Sequence, residues 1–311
     1  MELIVDDQAP IHVSGQEDGL TGTALAAQEA VRLALDCEQL GWDGYWAAAG
    51  LGTTGHSHAL TAMASAAATI TGTIRVGTGL VLPADGGPVR GAAGFMSLAH
   101  LHPRRSDLIV TPDLDAPAGP RSPGPRLAAL LAALRHEDAQ TALDTADPLD
   151  RTSPRIWLAG RHAEDSAVAA AYGLPFCLRL PADELPRPEA LDHYRRFCRT
   201  EAGPGAPRIA LAVRIACADD PDGAAVLRAL LAWAQPADQA AEQPATAAPP
   251  PSARPRTLVG TPEQIRPHLA HLLDLYRPDT LAVSTPCPDH QLRLRSFALV
   301  RELVTGRRPA A

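Results

Sequence analysis

Short apolar runs alternate with helical periodicities along almost the whole chain. Leu3–Val5 begins the series. The next stretch, 20–42, places Ala27, Ala30, Val31, Ala34 and Cys37 at helical spacing before Gly41 stops it. Further apolar runs, each expected to be a strand, fall at 44–50, 74–83, 106–110, 155–160, 175–180, within 207–220, and at 280–285. The run 74–83 is apolar nearly throughout, as a strand covered on both faces must be. Helices are predicted between these runs. One opens at Ser57 or His58, one at Pro88, and others cover 126–137, the alanine-rich run to Tyr172, 188–201, 222–234 and 291–304. Another starts at Thr261 as N-cap, with Pro262 at the first helical position and Gln264 in the capping-box position.

Eight strands alternating with helices in 311 residues match an α/β fold of the (β/α)8 TIM-barrel class, expected as one domain over 1–311. A doubly wound sheet is the alternative. It lacks support from a Gly-rich dinucleotide fingerprint, since LIVDD runs directly into QAPIHVSGQ. Two stretches break the alternation. Residues 111–153 are irregular around a single helix, and 235–256, rich in Pro, Ala and Gln, have almost nothing to bury and read as a disordered loop.

Charge and composition narrow the function. The net charge is −7, basic residues form no block and aromatics make up 4%, which argues against a nucleic-acid partner. No run reaches the ~18 apolar residues of a membrane span, and the first residues lack the basic and apolar regions of a signal peptide. A cytoplasmic protein without membrane contact is therefore expected. Cys37, Cys177, Cys198, Cys217 and Cys287 are odd in number and form no CxxC, consistent with reduced thiols and no metal centre. Lysine and asparagine are absent, as in a high-GC bacterial coding sequence.

The most informative stretch is PRIWLAGRHAEDSAVAAAYGLPF, 154–176. It reads as strand, turn, helix and strand, with Arg161, His162, Glu164, Asp165 and Ser166 at the strand-to-helix turn. In α/β proteins ligands sit at that turn, and a helix N-terminus offers N–H groups to an anion. Elsewhere, Asp6 and Asp7 read as solvated loop acids, and Ser284 and Thr285 as barrel-mouth residues or caps. His100 and His102 fall in a helix-to-strand connection, on the stability face of a barrel. No Ser/His/Asp triad, zinc motif or P-loop is present.

Seven segments, in order, make the chain resemble the bacterial luciferase-like flavin-dependent monooxygenases, whose fold is this barrel. They are LGWDGYW, IRVGTGLVLP with the downstream Pro88-Val89-Arg90, SLAHLHPRRSDL, the stretch 154–176, Tyr194–Phe197, VGTPEQI and RLRSFALVREL. The resemblance implies reduced FMN and oxygen, with a deazaflavin in some relatives. It implies a cofactor contact at Thr78 and Gly79 in the third strand, and a phosphate turn at Gly160, Arg161, His162 and Ser166.

Three family sites are altered together. Where members carry AEHH, this chain has Ala48-Ala49-Gly50-Leu51; His56 and His58 lie a few residues on, where they either reach back or, as the favoured reading, cap the next helix or face solvent. After the fourth strand, the two glycines of the family's GRxDLGxGRG pattern are Ile109 and Thr111 here, and its phosphate arginine aligns with Pro112, followed by Asp113. At the phosphate turn, the family's two serines are Arg161 and His162. Arg161 either supplies the missing phosphate charge or pairs at the surface with Glu164 or Asp165.

Three functions follow from the resemblance, and no catalytic residue is assigned in any of them. The first is a flavin-dependent oxygenase acting alone. The second is a partner subunit in a dimer with a homologous catalytic chain, with a flavin reductase supplying reduced FMN. The third is a non-catalytic small-molecule-binding or scaffold protein. The joint alteration of three sites puts the partner role first.

Overall fold

A computed structural model describes residues 1–8, 19–47, 57–82, 88–112, 124–141, 154–180, 188–198, 207–233 and 257–306. The expected loop 235–256, much of 111–153, and Ala48 to His56 lie outside the described residues.

The strands are β1 (Glu2–Asp7), β2 (Gly44–Ala47), β3 (Arg75–Leu82), β4 (Ser106–Pro112), β5 (Arg155–Gly160), β6 (Phe176–Arg179), β7 (Ile209–Cys217), β8 (Leu258–Gly260) and β9 (Thr280–Ser284). The helices between and after them are α1 (Gly19–Gln39), α2 (Ser57–Ile70), α3 (Pro88–Leu101), α4 (Gly124–Thr141), α5 (Ala163–Ala171), α6 (Glu189–Phe197), α7 (Pro221–Trp233), α8 (Pro262–Tyr276) and α9 (His290–Thr305). Eight strands, β1 to β7 and β9, close into a parallel barrel: β6 pairs with β7, β7 with β9, and β9 with β1. The (β/α)8 class read from the alternation is the fold.

One strand escaped the pattern. β8 has three residues, too few to show a period, and pairs only with Ile215–Cys217, where the nine-residue β7 runs past the barrel wall. It belongs to an excursion, α7–β8–α8, between the last two barrel strands.

Strand alternation sorts side chains between helices and lumen. Val5, Tyr45, Val76, Leu108 and Leu158 point outward into the main core beneath the helices. Ile4, Trp46, Ile109, Trp157 and the small residues of β7 and β9 fill the lumen. Trp46 and Trp157 meet there with ring centroids 5.5 Å apart. Gly77 makes room for them: a Cβ would overlap the Trp46 ring and stand 2.7 Å from Ile109 Cδ1.

A charged plug closes the N-terminal end. Asp107, fully buried, receives Arg155 through Nε and Nη2 at 2.9 Å each and Arg75 through Nε at 3.0 Å. Trp46 Nε1 donates to the same carboxylate at 3.0 Å, and Glu2 binds the remaining face of Arg155 together with Arg208. Burial pushes the Asp107 carboxyl up, but Arg155 and Arg75 outweigh it and hold it below its ordinary value.

On the outer layer, α6 buries Leu191 and Tyr194, with Cys198 half-buried at its end, the face expected from spacing. Tyr194 also anchors the layer by donating to the Leu174 carbonyl at 2.7 Å. Among the described residues no helix is long and apolar enough to cross a membrane.

Candidate functional site

The C-terminal ends of the strands form the mouth of the barrel, the end at which such folds carry their sites. β1 supplies Asp6 and Asp7, and Gln8 follows directly after it. The two acids expected to be solvated are 1% and 4% exposed. The strand runs two residues past its apolar core, and arginines from distant strands and a helix compensate the buried charge. Asp7 points outward, where Tyr45 donates to it at 2.7 Å and Arg293 of α9 approaches at 3.4 Å. Burial raises the Asp7 carboxyl, with Arg293 and Tyr45 opposing. Asp6 points into the lumen. Arg179, at the end of β6, reaches across to Asp6 Oδ2 at 3.4 Å. Gln8 donates to the same oxygen at 3.2 Å and accepts from Arg214 Nη2 of β7 at 2.7 Å.

Neither arginine was singled out by motif. The signal was nevertheless visible, because each is a lone charge inside an apolar strand, FCLRL and LAVRIAC. A charged group at such a position is excluded from the core unless it is paired.

The turn after β5 has a different construction. Gly160 ends the strand, and α5 starts at Ala163 with His162 as N-cap. Asp165, in the third helical position and 8% exposed, turns back over the turn. Its Oδ2 accepts from the backbone N–H of Arg161 at 3.0 Å and of His162 at 3.1 Å. Ser166 is fully buried, and its hydroxyl donates to the Ala163 carbonyl at 2.8 Å. Gly160 has no spare room, since a Cβ there would stand 2.6 Å from Asp165 Cγ. The same device recurs before α8. The Thr261 N–H donates to Gln264 Oε1 at 3.1 Å, and a Cβ on Gly260 would stand 2.7 Å from that oxygen. The two turns are capping boxes closed by a third-position side chain, one neutral and one acidic.

This decides how the turn treats a flavin phosphate. Two N–H groups of the turn, those of Arg161 and His162, are taken by a carboxylate of the chain itself, and that carboxylate would repel a phosphate. The residues present do not fit the group. Asp165 engages the backbone of Arg161, so the expected Arg161 surface pair is replaced by a main-chain cap. The Arg161 Nε is buried without a hydrogen-bond partner.

The remaining sequence candidates separate. Thr78 is outward-facing and buried beneath α2, its hydroxyl 3.3 Å from that of Thr61. Gly79, next along β3, shares the lumen face with Gly77 and pairs with Ile109 of β4. The structure therefore places Gly79 toward the mouth and Thr78 away from it, while Gly160, Arg161, His162 and Ser166 stay together at the β5–α5 turn. Thr285 acts as a structural cap, donating to the Ile215 carbonyl at 2.6 Å. Ser284 faces the lumen, paired in register with Arg214. No cluster of potential metal ligands occurs among the described residues.

Residues 9–117 match the family described as luciferase-like monooxygenase. Over 97% of this chain and 98% of the other, the sequence is 27% identical to the uncharacterized protein YwcH of Bacillus subtilis (strain 168). The structure superposes on crystalline apo-MsnO8 with a TM-score of 0.70 at 26% identity, covering 97% of this chain and 98% of that one. It shares its fold, at a TM-score of 0.67 and 14% identity over the full length of both chains, with the FMN-bound oxygenating constituent of 3,6-diketocamphane monooxygenase from a Pseudomonas putida plasmid. Segment 9–117 thus matches the luciferase-like monooxygenase family, and the full-length likenesses give the whole chain the barrel fold of such proteins.

Proposed function

We propose that this chain is a component of a flavin-dependent oxygenation in bacterial specialised metabolism, acting as the partner subunit of a catalytic homologue rather than as the holder of the flavin. One observation carries the reading: Asp165 fills the N–H cradle at the β5–α5 turn from within the chain. Two sequence departures support it, namely Ala48-Ala49-Gly50-Leu51 in place of the family's AEHH and Pro112 in place of the phosphate arginine. Proline has neither a charge nor an N–H to offer. In this reading the oxygen chemistry belongs to the other subunit, which a reductase supplies with reduced FMN. The present barrel contributes an interface, in the cytoplasm.

The deciding experiment is anaerobic titration of the purified chain with oxidised and reduced FMN and with a deazaflavin, followed by pull-down of its luciferase-like neighbours. The expected result is no saturable flavin binding in the micromolar range, with a second luciferase-like chain retained. Micromolar flavin binding with substrate-linked oxygen uptake by the chain alone overturns the proposal.

A further inference from the structure

The mouth of the barrel is crossed by its own side chains. Asp6 and Gln8 alternate onto the lumen face with Ile4, and Arg179 and Arg214 do so with Cys177 and Ala212. Arg179 reaches Asp6 Oδ2 at 3.4 Å. Gln8 donates to that oxygen at 3.2 Å and accepts from Arg214 at 2.7 Å. Around the barrel, β9 separates β1 from β7, and β7 and β9 together separate β1 from β6. Contacts that skip one or two strands run across the opening rather than along its wall. In an eight-stranded barrel, side chains suffice to fill such an opening.

What lies inward of this bridge is shut off. Cys177 sits two residues before Arg179 on the same face, with Ala159 beside it in register. These two and the indoles Trp46 and Trp157 are 0% exposed. Ala212 and Ser284, in register with Arg179 and Arg214, are small, so at that level the arginines supply the bulk. The bridge is sparsely bonded. Burial pulls both guanidinium groups down; Asp6 outweighs it at Arg179 but not at Arg214, where Arg179 adds to the burial. Asp6 Oδ1 and Arg179 Nε have no hydrogen-bond partner. One acid therefore holds two buried cations in place, and its loss leaves both uncompensated.

We propose that Asp6, Gln8, Arg179 and Arg214 form an autoinhibitory latch across the barrel mouth, which shuts the lumen against small molecules until the bridge to Asp6 is broken. Once Asp6 lets go, the guanidinium groups gain hydration by turning outward, and that movement uncovers Cys177. The latch goes beyond the partner-subunit reading and does not rest on it. It concerns the lumen rather than the β5–α5 turn, and it is read without flavin or a second chain.

The test follows Cys177 in the intact chain. Methyl methanethiosulfonate is applied under native conditions, and the modification rate of each thiol is measured by peptide mass spectrometry, beside circular dichroism. Burial pushes the Cys177 thiol up to about 12, which keeps it unreactive while the latch is shut. In the wild type, Cys177 should react no faster than Cys37 and Cys217 of the outer core, and far more slowly than half-buried Cys198. Asp6→Asn should speed Cys177 by about tenfold or more, with Cys37, Cys217 and the circular dichroism spectrum unchanged. Gln8→Ala, which leaves the three charges in place, should speed it by about threefold or more. Three results each overturn the proposal: wild-type Cys177 as reactive as Cys198, no gain at Cys177 in a folded D6N chain, or a gain shared equally by Cys37 and Cys217. Should D6N not fold, an unchanged Cys177 rate in Q8A overturns it.

Discussion

The carboxylate of Asp165 accepts the backbone N–H of Arg161 at 3.0 Å, so the turn that would greet an anion is already closed by one. The contact is local, four residues apart, and forms as soon as α5 does. A helix N-terminus capped in this way is stable without any ligand.

Replacing Asp165 by serine should separate these two roles. The variant loses the reach-back cap and about 1 kcal/mol of stability. It also exposes the two N–H groups and removes the repelling charge. FMN or phosphate binding should rise at least tenfold over wild type, measured by flavin fluorescence quenching. Unchanged affinity in a folded variant would show that the turn is not what keeps the phosphate out.

Glu38 gives the chain an acid-sensitive joint. Its carboxylate, at the end of α1, accepts the N–H groups of Gly72, Thr73 and Ile74 ahead of β3, at 2.6 to 3.0 Å. Burial pushes the carboxyl up, but the N–H donors together with the Thr73 hydroxyl outweigh it and bring it down from 4.5 to about 2. A carboxyl lowered on folding stabilises the native state above its unfolded value and loses that stabilisation as pH falls through its folded value. Stability should therefore decline between about pH 4.5 and 2. Glu38→Gln should flatten that part of the curve in urea titrations, at a cost of about 1 kcal/mol at neutral pH.

Asp107 at the closed end should be among the costliest positions to change. Asp107→Asn leaves Arg75 and part of Arg155 without a counter-charge beside the lumen. Removing one partner of a buried ion pair costs about 3–5 kcal/mol. The loss should appear as a lowered denaturation midpoint with an unchanged slope. A variant within about 0.5 kcal/mol of wild type would mean that Glu2 alone neutralises the plug.

Gly77→Ala tests lumen packing directly. The added methyl overlaps Trp46 and presses on Ile109. Overpacking of this kind costs about 1–3 kcal/mol, and Trp46 emission should shift as its ring moves against Trp157. By contrast, Gly72→Ala meets no atom within 4 Å and should be nearly silent in the same assays.

The architecture was legible in the chain because a barrel repeats one local signal. Each apolar run of strand length, followed by a helical period, reports a unit on its own, and eight such reports define the class. β8 was missed because three residues carry no period. Thr78 and Gly79 were read as a pair from their place in a motif. Alternation along β3 turns one toward α2 and the other toward the lumen, a parity that only the register with β2 and β4 makes definite.

The site was less legible, for a physical reason. Sequence determined that the β5–α5 turn holds polar groups, that a family resemblance runs through it, and that the expected serines, histidines and arginine are replaced. It could not say whether Asp165 faces solvent, Arg161 or a ligand, since that depends on the angle at which α5 leaves Gly160. Nor could it join Asp6, Gln8, Arg179 and Arg214, which come from three strands spread over more than 200 residues. Closure of the barrel brings them together, because burying three charges in one lumen is tolerable only where they meet.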